Sequence, residues 1–407
     1  MFCNQCQAFW HETFSKAKIP QAIHSCEDVH WEYHETTLHN SIRDLKQASD
    51  LRCRLCRIIY FTPTDHEHET LLKDVDEPLS IVLTIDPSKG PHPVLSAEFR
   101  EKSGDGARIS KRMVASCSGL LSDENLTTTL KTSAESNNDS TGSDGALELA
   151  AFWTKTCLDG HDKCRPPAGH GASSFVPTRL LDVSSNSIRL IESEQEIKEG
   201  SDRSFVALSH CWGLIPIIRT LIDNYDEHRK GIAPERLSKT FREAVHATRK
   251  LGYRYIWIDS LCIKQDDGED WAAEAATMCD VYQYATLTIA AAHAPGGDVG
   301  CYAERDGLLQ LPFFIELPQS AVSKEPTRIQ FTSYGRVKDI GGGNPALYGR
   351  AWVLQEQLLS PRMLIFDGAQ IKWECLTMHG SEKSPTSSTT RHSLYYKYCG
   401  ILRCAFE

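Results

Sequence analysis

The chain has 407 residues, of which 41% are hydrophobic and 24% are charged, and its formal net charge is −10. This length allows two or three domains with separate cores, and the composition is typical of soluble globular proteins. The negative charge disfavours general binding to nucleic acid or to anionic membranes, so we predict neither as a partner.

The N-terminal sequence MFCNQCQAFWHETF lacks both the basic and the apolar segment of a secretory signal. No apolar run approaches the roughly 18 residues that a membrane helix needs. We therefore predict an intracellular, cytoplasmic protein without a membrane span. Its 15 cysteines are then expected to be reduced, with some holding metal, rather than to form a disulfide framework.

Two C-x-x-C pairs near the N-terminus predict a metal site. The pairs are Cys3 with Cys6 and Cys53 with Cys56. Four thiolates suit a closed tetrahedral zinc site, although the stretch between these pairs is longer than in common zinc modules. The alternative is that the four are reduced cysteines in a small core. A further C-x3-H-x2-C group is open to the same two interpretations; it consists of Cys157, His161 and Cys164.

Composition divides the chain before residue 205. The segments LSIVLTI (79–85) and PVLSAEF predict a short antiparallel sheet, so residues 1–130 are predicted to be a small Cys-rich α+β region. The polar stretch KTSAESNNDSTGSDG predicts a disordered linker over 131–145. A helix over ALELAAFWTKTCLDGH and the strand TRLLDV then form a lead-in segment, residues 146–204.

From residue 205 the pattern alternates strands and helices. The strands are FVALS, YRYIWID (253–259) and TLTIAAA (286–292). The helix SKTFREAVHATRKLG lies between the first two, with Ser238 as its N-cap and Gly252 as its stop, and EDWAAEAATMCDVYQYA lies between the last two. This order predicts an α/β fold with an open parallel sheet flanked by helices. Ligands of such sheets bind outside the carboxyl ends of the strands, where polar residues cluster here.

Three sequence blocks resemble those of the fungal heterokaryon-incompatibility (HET) domain. They are FVALSHCWG, YIWIDSLCIKQDDGEDWAAEAATMCDVYQYATLTIAAA and RAWVLQEQLLSPRMLIF (350–366), and the resemblance covers residues 205–375. Two departures are a histidine at position 210, where relatives more often have tyrosine, and a short tail over 376–407, where relatives usually continue. The tail indicates either a short member of the family or a truncated gene model.

The resemblance implies a role in fungal non-self recognition, a form of innate immunity in which incompatible hyphal fusion triggers programmed cell death. It implies protein partners in incompatibility signalling, with self-association among the possibilities. It also implies a fold similar to TIR domains, which are flavodoxin-like and include enzymes that cleave NAD. The resemblance leaves open whether this chain is a catalyst or a signalling module.

Two carboxylates are candidates for catalysis. Glu274 shares a helical face with Trp271 and Met278, and burial there would raise its pKa towards a useful acid/base value. The alternative is a structural ion pair, for example with Arg350. Asp259 ends the second predicted strand and could bind a ribose hydroxyl or orient a substrate; its alternative role is a helix or loop cap.

Four further residues are candidates for ligand binding: Ser209, Trp212, Arg350 and Glu356. Trp212 could stack on a planar base or belong to the core. Arg350 could hold a phosphate or carboxylate through its two-pronged guanidinium. The default interpretation of Glu356 is a salt bridge on a helix surface. Two function classes remain open: an effector enzyme that cleaves NAD as its substrate through Glu274, and a signalling module in which these residues serve the fold.

Overall fold

The computed structural model describes residues 2–18, 29–61, 79–89, 93–101, 108–121, 138–165, 175–316, 328–333 and 346–385. The chain divides into two compact units. The first unit comprises Met1–Asn138 and Asp306–Lys338, and the second comprises Asp139–Arg305 and Asp339–Glu407.

The helices and strands of the described residues follow in chain order. The helices are α1 (Asn4–Lys16), α2 (Ile42–Asp50), α3 (Arg54–Phe61), α4 (Asp144–Gly160), α5 (Ser193–Glu196), α6 (Tyr225–Lys230), α7 (Lys239–Lys250), α8 (Asp259–Cys262), α9 (Gly268–Tyr284), α10 (Gly307–Gln310) and α11 (Ala351–Leu359). The strands are β1 (His34–His39), β2 (Leu79–Asp86), β3 (Val94–Glu101), β4 (Arg108–Leu121), β5 (Arg179–Asp182), β6 (Arg189–Glu192), β7 (Phe205–Ser209), β8 (Tyr255–Trp257), β9 (Leu287–Ala290), β10 (Phe313–Glu316), β11 (Arg328–Ser333), β12 (Arg362–Phe366), β13 (Ile371–Cys375) and β14 (His379–Ser381).

The first unit is built on a six-stranded antiparallel sheet in the order β1-β2-β3-β4-β11-β10. The predicted pairing of β2 with β3 is confirmed. Strands β10 and β11 come from residues that the sequence analysis assigned to the HET domain. Their aromatic side chains complete the core of this unit: Trp10 of α1 lies 5.2 Å from the ring of Phe331, which stacks on Phe313.

The second unit contains an eight-stranded mixed sheet in the order β14-β13-β12-β9-β7-β8-β5-β6. Its four central strands, β12, β9, β7 and β8, are parallel. The prediction of an open parallel sheet is wrong for the edges, where β13, β14, β5 and β6 pair antiparallel. The turns between β5 and β6 and between β12 and β13 are too short for a crossover, and such short connections allow only antiparallel pairing.

Two helices connect the central strands as predicted. Helix α7 follows β7; the Ser238 hydroxyl accepts a hydrogen bond from the Phe241 amide at its start, and Gly252 has φ +85° just after its end. Helix α9 follows β8, and its buried residues include Glu274 and Tyr282. Trp271, which was predicted to share that buried face, is 52% exposed, because it lies in the first turn at the margin of the buried stripe.

The predicted linker and tail are described only in part. Residues 131–137 lie outside the described residues, while α4 begins at Asp144 with the Ser143 hydroxyl accepting a hydrogen bond from the Ala146 amide. Before this cap, the Thr141 amide donates to the Ala303 carbonyl. In the tail, residues 379–381 form β14, and residues 386–407 lie outside the described residues.

A buried ion pair, Arg305 with Glu382, yields a prediction about the stability of the second unit. Both side chains are almost fully buried, and Glu382 also accepts a hydrogen bond from the Ile371 amide at 2.8 Å. Replacing Arg305 with Met leaves the carboxylate buried without its counter-ion, so we expect the free energy of unfolding to fall by about 3–5 kcal/mol. Denaturant unfolding measures this change.

The matched control is Lys250→Met, which removes the exposed pair between Lys250 and Asp144. Solvent screens such a pair, so the unfolding midpoint should not change. Equal midpoints for Arg305→Met and Lys250→Met would contradict the importance of the buried pair.

Candidate functional site

Polar residues gather at the carboxyl ends of the parallel strands β7 and β8. Strand β7 ends at Ser209, followed by His210 and Trp212, and Asp259 follows β8 at the start of α8. Because β7 and β8 are neighbours and parallel, their carboxyl ends lie at the same edge of the sheet. This is the edge at which an open α/β sheet binds ligands.

The Asp259 carboxylate joins the two strand ends. His210 Nε2 lies 3.0 Å from Asp259 Oδ1, the Trp212 indole N–H donates to Oδ2 at 2.8 Å, and the Ser260 amide donates to Oδ1 at 2.7 Å. Burial alone would raise the pKa of the Asp259 carboxyl, but the interaction with His210 and these hydrogen bonds outweigh it and hold the pKa below its usual value. Asp259 is therefore an ionised anchor for the segment after β7.

Helix α11 supplies a second carboxylate to the same edge. Glu356 is buried and accepts a hydrogen bond from the Ser209 hydroxyl, which is itself fully buried. The expectation of a surface salt bridge at Glu356 is therefore wrong, since this face of α11 packs inward. Burial raises the pKa of Glu356, and the negative charge of Asp259 acts in the same direction, whereas the Ser209 hydrogen bond and Arg350 oppose the shift.

Arg350 and Gly213 fix the segment after β7 from two directions. The Arg350 guanidinium, just before α11, donates to the carbonyl oxygen of His210. Gly213 has φ +74°, and a Cβ added there would lie 2.7 Å from the Gly296 Cα in the loop after β9. A side chain at position 213 would thus meet both backbone strain and a clash. The segments that follow β7, β8 and β9 are therefore packed together with α11.

The structure brings together five of the sequence-predicted residues: Ser209, Trp212, Asp259, Arg350 and Glu356. We call this cluster, together with His210, the strand-edge network. In the sequence His210 was noted as a departure from the tyrosine that relatives more often have, and its neighbour Cys211 packs in a buried apolar cluster. The sequence feature that could have identified His210 as a site residue was its position. It lies one residue beyond the buried strand β7 and close to the end of the parallel strand β8.

Glu274 lies in a different cluster. Its carboxylate is 3.2 Å from the guanidinium of Arg179 on β5, which also donates to both oxygens of Asp270 and to the Cys262 carbonyl. Burial raises the pKa of Glu274, and the Thr178 hydrogen bond and the charge of Arg179 partly offset this. Within the described residues, no hydrogen bond or ion pair joins Glu274 to Asp259, so the two predicted catalytic carboxylates do not share a network.

The four N-terminal cysteines converge in the first unit. Cys3 and Cys6 lie at the start of α1, and Cys53 and Cys56 at the start of α3; their four sulfur atoms all lie within 4.8 Å of one another. Three sulfur–sulfur distances are 3.5–3.6 Å, too long for a disulfide of about 2.05 Å but near the edge of about 3.8 Å of a tetrahedron with Zn–S bonds of about 2.3 Å. These residues could hold a metal ion.

Hydrogen bonds to sulfur support the same interpretation. His39 Nε2 lies 3.1 Å from Cys56 Sγ, and the Cys3 amide donates to Cys53 Sγ at 3.2 Å. Donors directed at sulfur favour the thiolate form that binds metals. A second group in the second unit, Cys157, His161, Cys164 and Cys375, could also hold a metal ion.

The helices offer no candidate for a membrane span. Among the described residues, none is both long enough and apolar enough to cross a bilayer.

Comparisons with known proteins place the strand-edge network within one family. The sequence model of the family described as "Heterokaryon incompatibility protein (HET)" matches residues 205–356, which contain every member of the network. The chain is similar to "Heterokaryon incompatibility protein 6, OR allele" of Neurospora crassa, with 30% identity over 89 residues, which are 20% of this chain and 13% of that protein. No solved structure matches the chain.

The family match falls inside the range over which the three sequence blocks resemble the HET domain, and the resemblance is thereby confirmed. Residues 205–356 are therefore a heterokaryon incompatibility (HET) domain of the fungal type.

Proposed function

We propose that the chain acts in the cytoplasm as a signalling module of heterokaryon incompatibility, the fungal response to fusion with a non-self cell, and that its second unit triggers programmed cell death. The family match and the relative's name support the incompatibility role. The strand-edge network is the observation that carries the proposal. It lies at the carboxyl ends of β7 and β8, where an open α/β sheet would bind a ligand, but its polar groups contact other groups of the protein instead.

The network is suited to hold a surface in one conformation. Ser209, His210 and Glu356 are buried, and their polar side-chain atoms face other groups of the same unit. A buried polar network with satisfied hydrogen bonds specifies one arrangement of the segments that it joins. Here it joins the ends of β7 and β8 to α11.

The segment that the network positions offers an apolar surface. Directly after Trp212 and Gly213, the side chain of Leu214 is fully exposed and that of Ile215 is 57% exposed. Neighbouring exposed apolar side chains favour contact with another protein. We propose that this segment contacts protein partners, among them another copy of the chain, in incompatibility signalling.

Growth of a fungal host tests the signalling role. Inducing the full chain should slow colony growth or kill cells. Asp259→Asn should abolish this effect, because the amide cannot accept hydrogen bonds at both atoms and the segment after β7 loses its anchor. The measurement is colony extension at equal protein level, determined by immunoblot.

The matched control is Asp223→Asn, at an exposed carboxylate on the same unit, which should keep full toxicity. Deleting residues 205–375 is a poorer test, because it removes β10 and β11 from the sheet of the first unit. Undiminished toxicity of Asp259→Asn at wild-type protein level would contradict a role of the network.

A second candidate function is cleavage of NAD by a TIR-like, flavodoxin-like domain, and one observation favours it. Asp259 and Glu356 lie in the same network, but their environments shift their pKa values in opposite directions, down for Asp259 and up for Glu356. When two neighbouring carboxyls have different pKa values, the one with the lower pKa can act as the ionised group and the one with the higher pKa as the proton donor. In this candidate Glu356 is the acid, since Glu274 is engaged by Arg179.

Nicotinamide release from NAD tests this candidate. If Glu356 is the acid, Glu356→Gln should lower turnover by roughly 10²-fold or more, the usual effect of removing general acid/base catalysis. Glu274→Gln should keep most of the turnover. The measurement is nicotinamide released by purified full chain at high protein concentration.

Thermal melting of the same proteins controls for folding. When the pKa of a carboxyl is raised in the folded state, the folded protein loses stability as the pH rises through that pKa. Glu356→Gln removes this ionisation, so it should melt at or above the wild-type temperature at neutral pH. Absence of nicotinamide release by the wild-type protein, or equal rates for wild type and Glu356→Gln, would eliminate the catalytic candidate.

We further propose that Cys3, Cys6, Cys53 and Cys56 bind one structural zinc ion. Because four protein ligands fill the tetrahedron, the ion would hold the first turn of α1 against that of α3 and leave no open position for a substrate. Elemental analysis of the full chain should show that Cys56→Ser loses one zinc per chain. Cys279→Ser, outside both cysteine groups, should keep the wild-type content. Equal zinc in Cys56→Ser and wild type would overturn the site.

A further inference from the structure

The second group of metal-ligand residues lies where α4 meets the end of β13. Cys157 is in the last turn of α4, and His161 follows that helix directly. Cys164 ends the short 3-10 helix Asp162–Cys164, and Cys375 is the last residue of β13. The three thiols are buried, and the four potential ligand atoms all lie within 4.8 Å of one another.

The distances and donors in this group suit a bound metal. His161 Nδ1 lies 3.4 Å from Cys375 Sγ, close to the roughly 3.6 Å expected between nitrogen and sulfur ligands at Zn–N about 2.0–2.1 Å and Zn–S about 2.3 Å. The Met378 amide donates to Cys375 Sγ at 3.2 Å, and Cys164 Sγ lies 3.6 Å from the Thr377 hydroxyl. Hydrogen bonds of this kind stabilise a thiolate.

Neighbouring contacts hold the ligands in place without using them. The ring of Trp153 on α4 lies 6.3 Å from that of Trp373 on β13, so helix and strand are packed beside the group. The Arg362 guanidinium, at the start of β12, donates to the Cys164 carbonyl at 2.8 Å. Simple packing of thiols would not require an imidazole nitrogen to face them.

We propose that Cys157, His161, Cys164 and Cys375 bind one structural zinc ion. Three thiolates and one imidazole form a closed tetrahedral set, which is typical of structural rather than catalytic zinc. Three of the ligands precede the matched range 205–356 and the fourth follows it. The ion would therefore link the segment before residues 205–356 to the segment after them, and both segments would belong to the same folded unit.

Metal content of the full chain tests this site. Cys164→Ser should contain one zinc per chain less than wild type, as should His161→Ala. His161→Cys should keep the wild-type content, because a thiolate can replace the imidazole in a closed tetrahedral site. Cys279→Ser is the matched control, with the wild-type content expected. A chelator should lower the melting temperature of wild type more than that of Cys164→Ser.

Two results would overturn the proposal: wild-type zinc content in Cys164→Ser, or loss of zinc only on replacing the N-terminal cysteines. Zinc retained at the N-terminal cysteines of Cys164→Ser would show that this variant still folds there. If instead Cys164→Ser contains no zinc at all, Co²⁺ is titrated into two purified chains. One is Cys56→Ser, which keeps the second group of ligands, and the other is the double variant Cys164→Ser/Cys56→Ser. A thiolate-to-cobalt absorption band in Cys56→Ser that is absent from the double variant supports the second site, and identical spectra overturn it.

Discussion

The Asp259 carboxylate is the group on which the strand-edge network of the second unit depends. It accepts hydrogen bonds from the Trp212 indole and the Ser260 amide, and the imidazole of His210 lies within hydrogen-bonding distance. Trp212 and His210 follow β7 and Asp259 follows β8, so these contacts tie together the segments after two neighbouring parallel strands. An ionised carboxylate that is only 20% exposed is costly to desolvate, and the donors offset that cost. The charge of Asp259 thus holds the segment after β7 together with the Arg350 hydrogen bond to the His210 carbonyl.

Much of this arrangement could be predicted from the sequence. The alternation of strands and helices predicted the parallel centre, and the rule for carboxyl ends brought Ser209, Trp212 and Asp259 to one edge. Arg350 and Glu356 were candidates only through the third sequence block, and the structure places them at that same edge. The antiparallel edges were missed because an amphipathic pattern indicates a strand but not which neighbour it pairs with.

Partners distant in sequence were the least predictable feature. Helical phase predicted the burial of Glu274, but its arginine is Arg179 of strand β5, 95 residues away, rather than Arg350. Likewise, the ligand spacing of Cys157, His161 and Cys164 gave no indication of Cys375, which is brought to them by β13. Strands β10 and β11 belong to the first unit although their sequence lies within the predicted HET range. Each case is a tertiary contact that local pattern does not encode.

These distant partners predict that the matched residues depend on their flanks for stability. Asp270 and Glu274 lie within the range 205–356, whereas the guanidinium that neutralises them belongs to Arg179 before it. After the range, the Glu382 carboxylate is the buried partner of Arg305 within it. A fragment limited to the matched range would leave both sets of buried charges without their counter-ions, which is far more destabilising than losing surface pairs. The central strands carry the strand-edge network, and the flanks supply the counter-ions of buried charges on α9 and in the loop after β9.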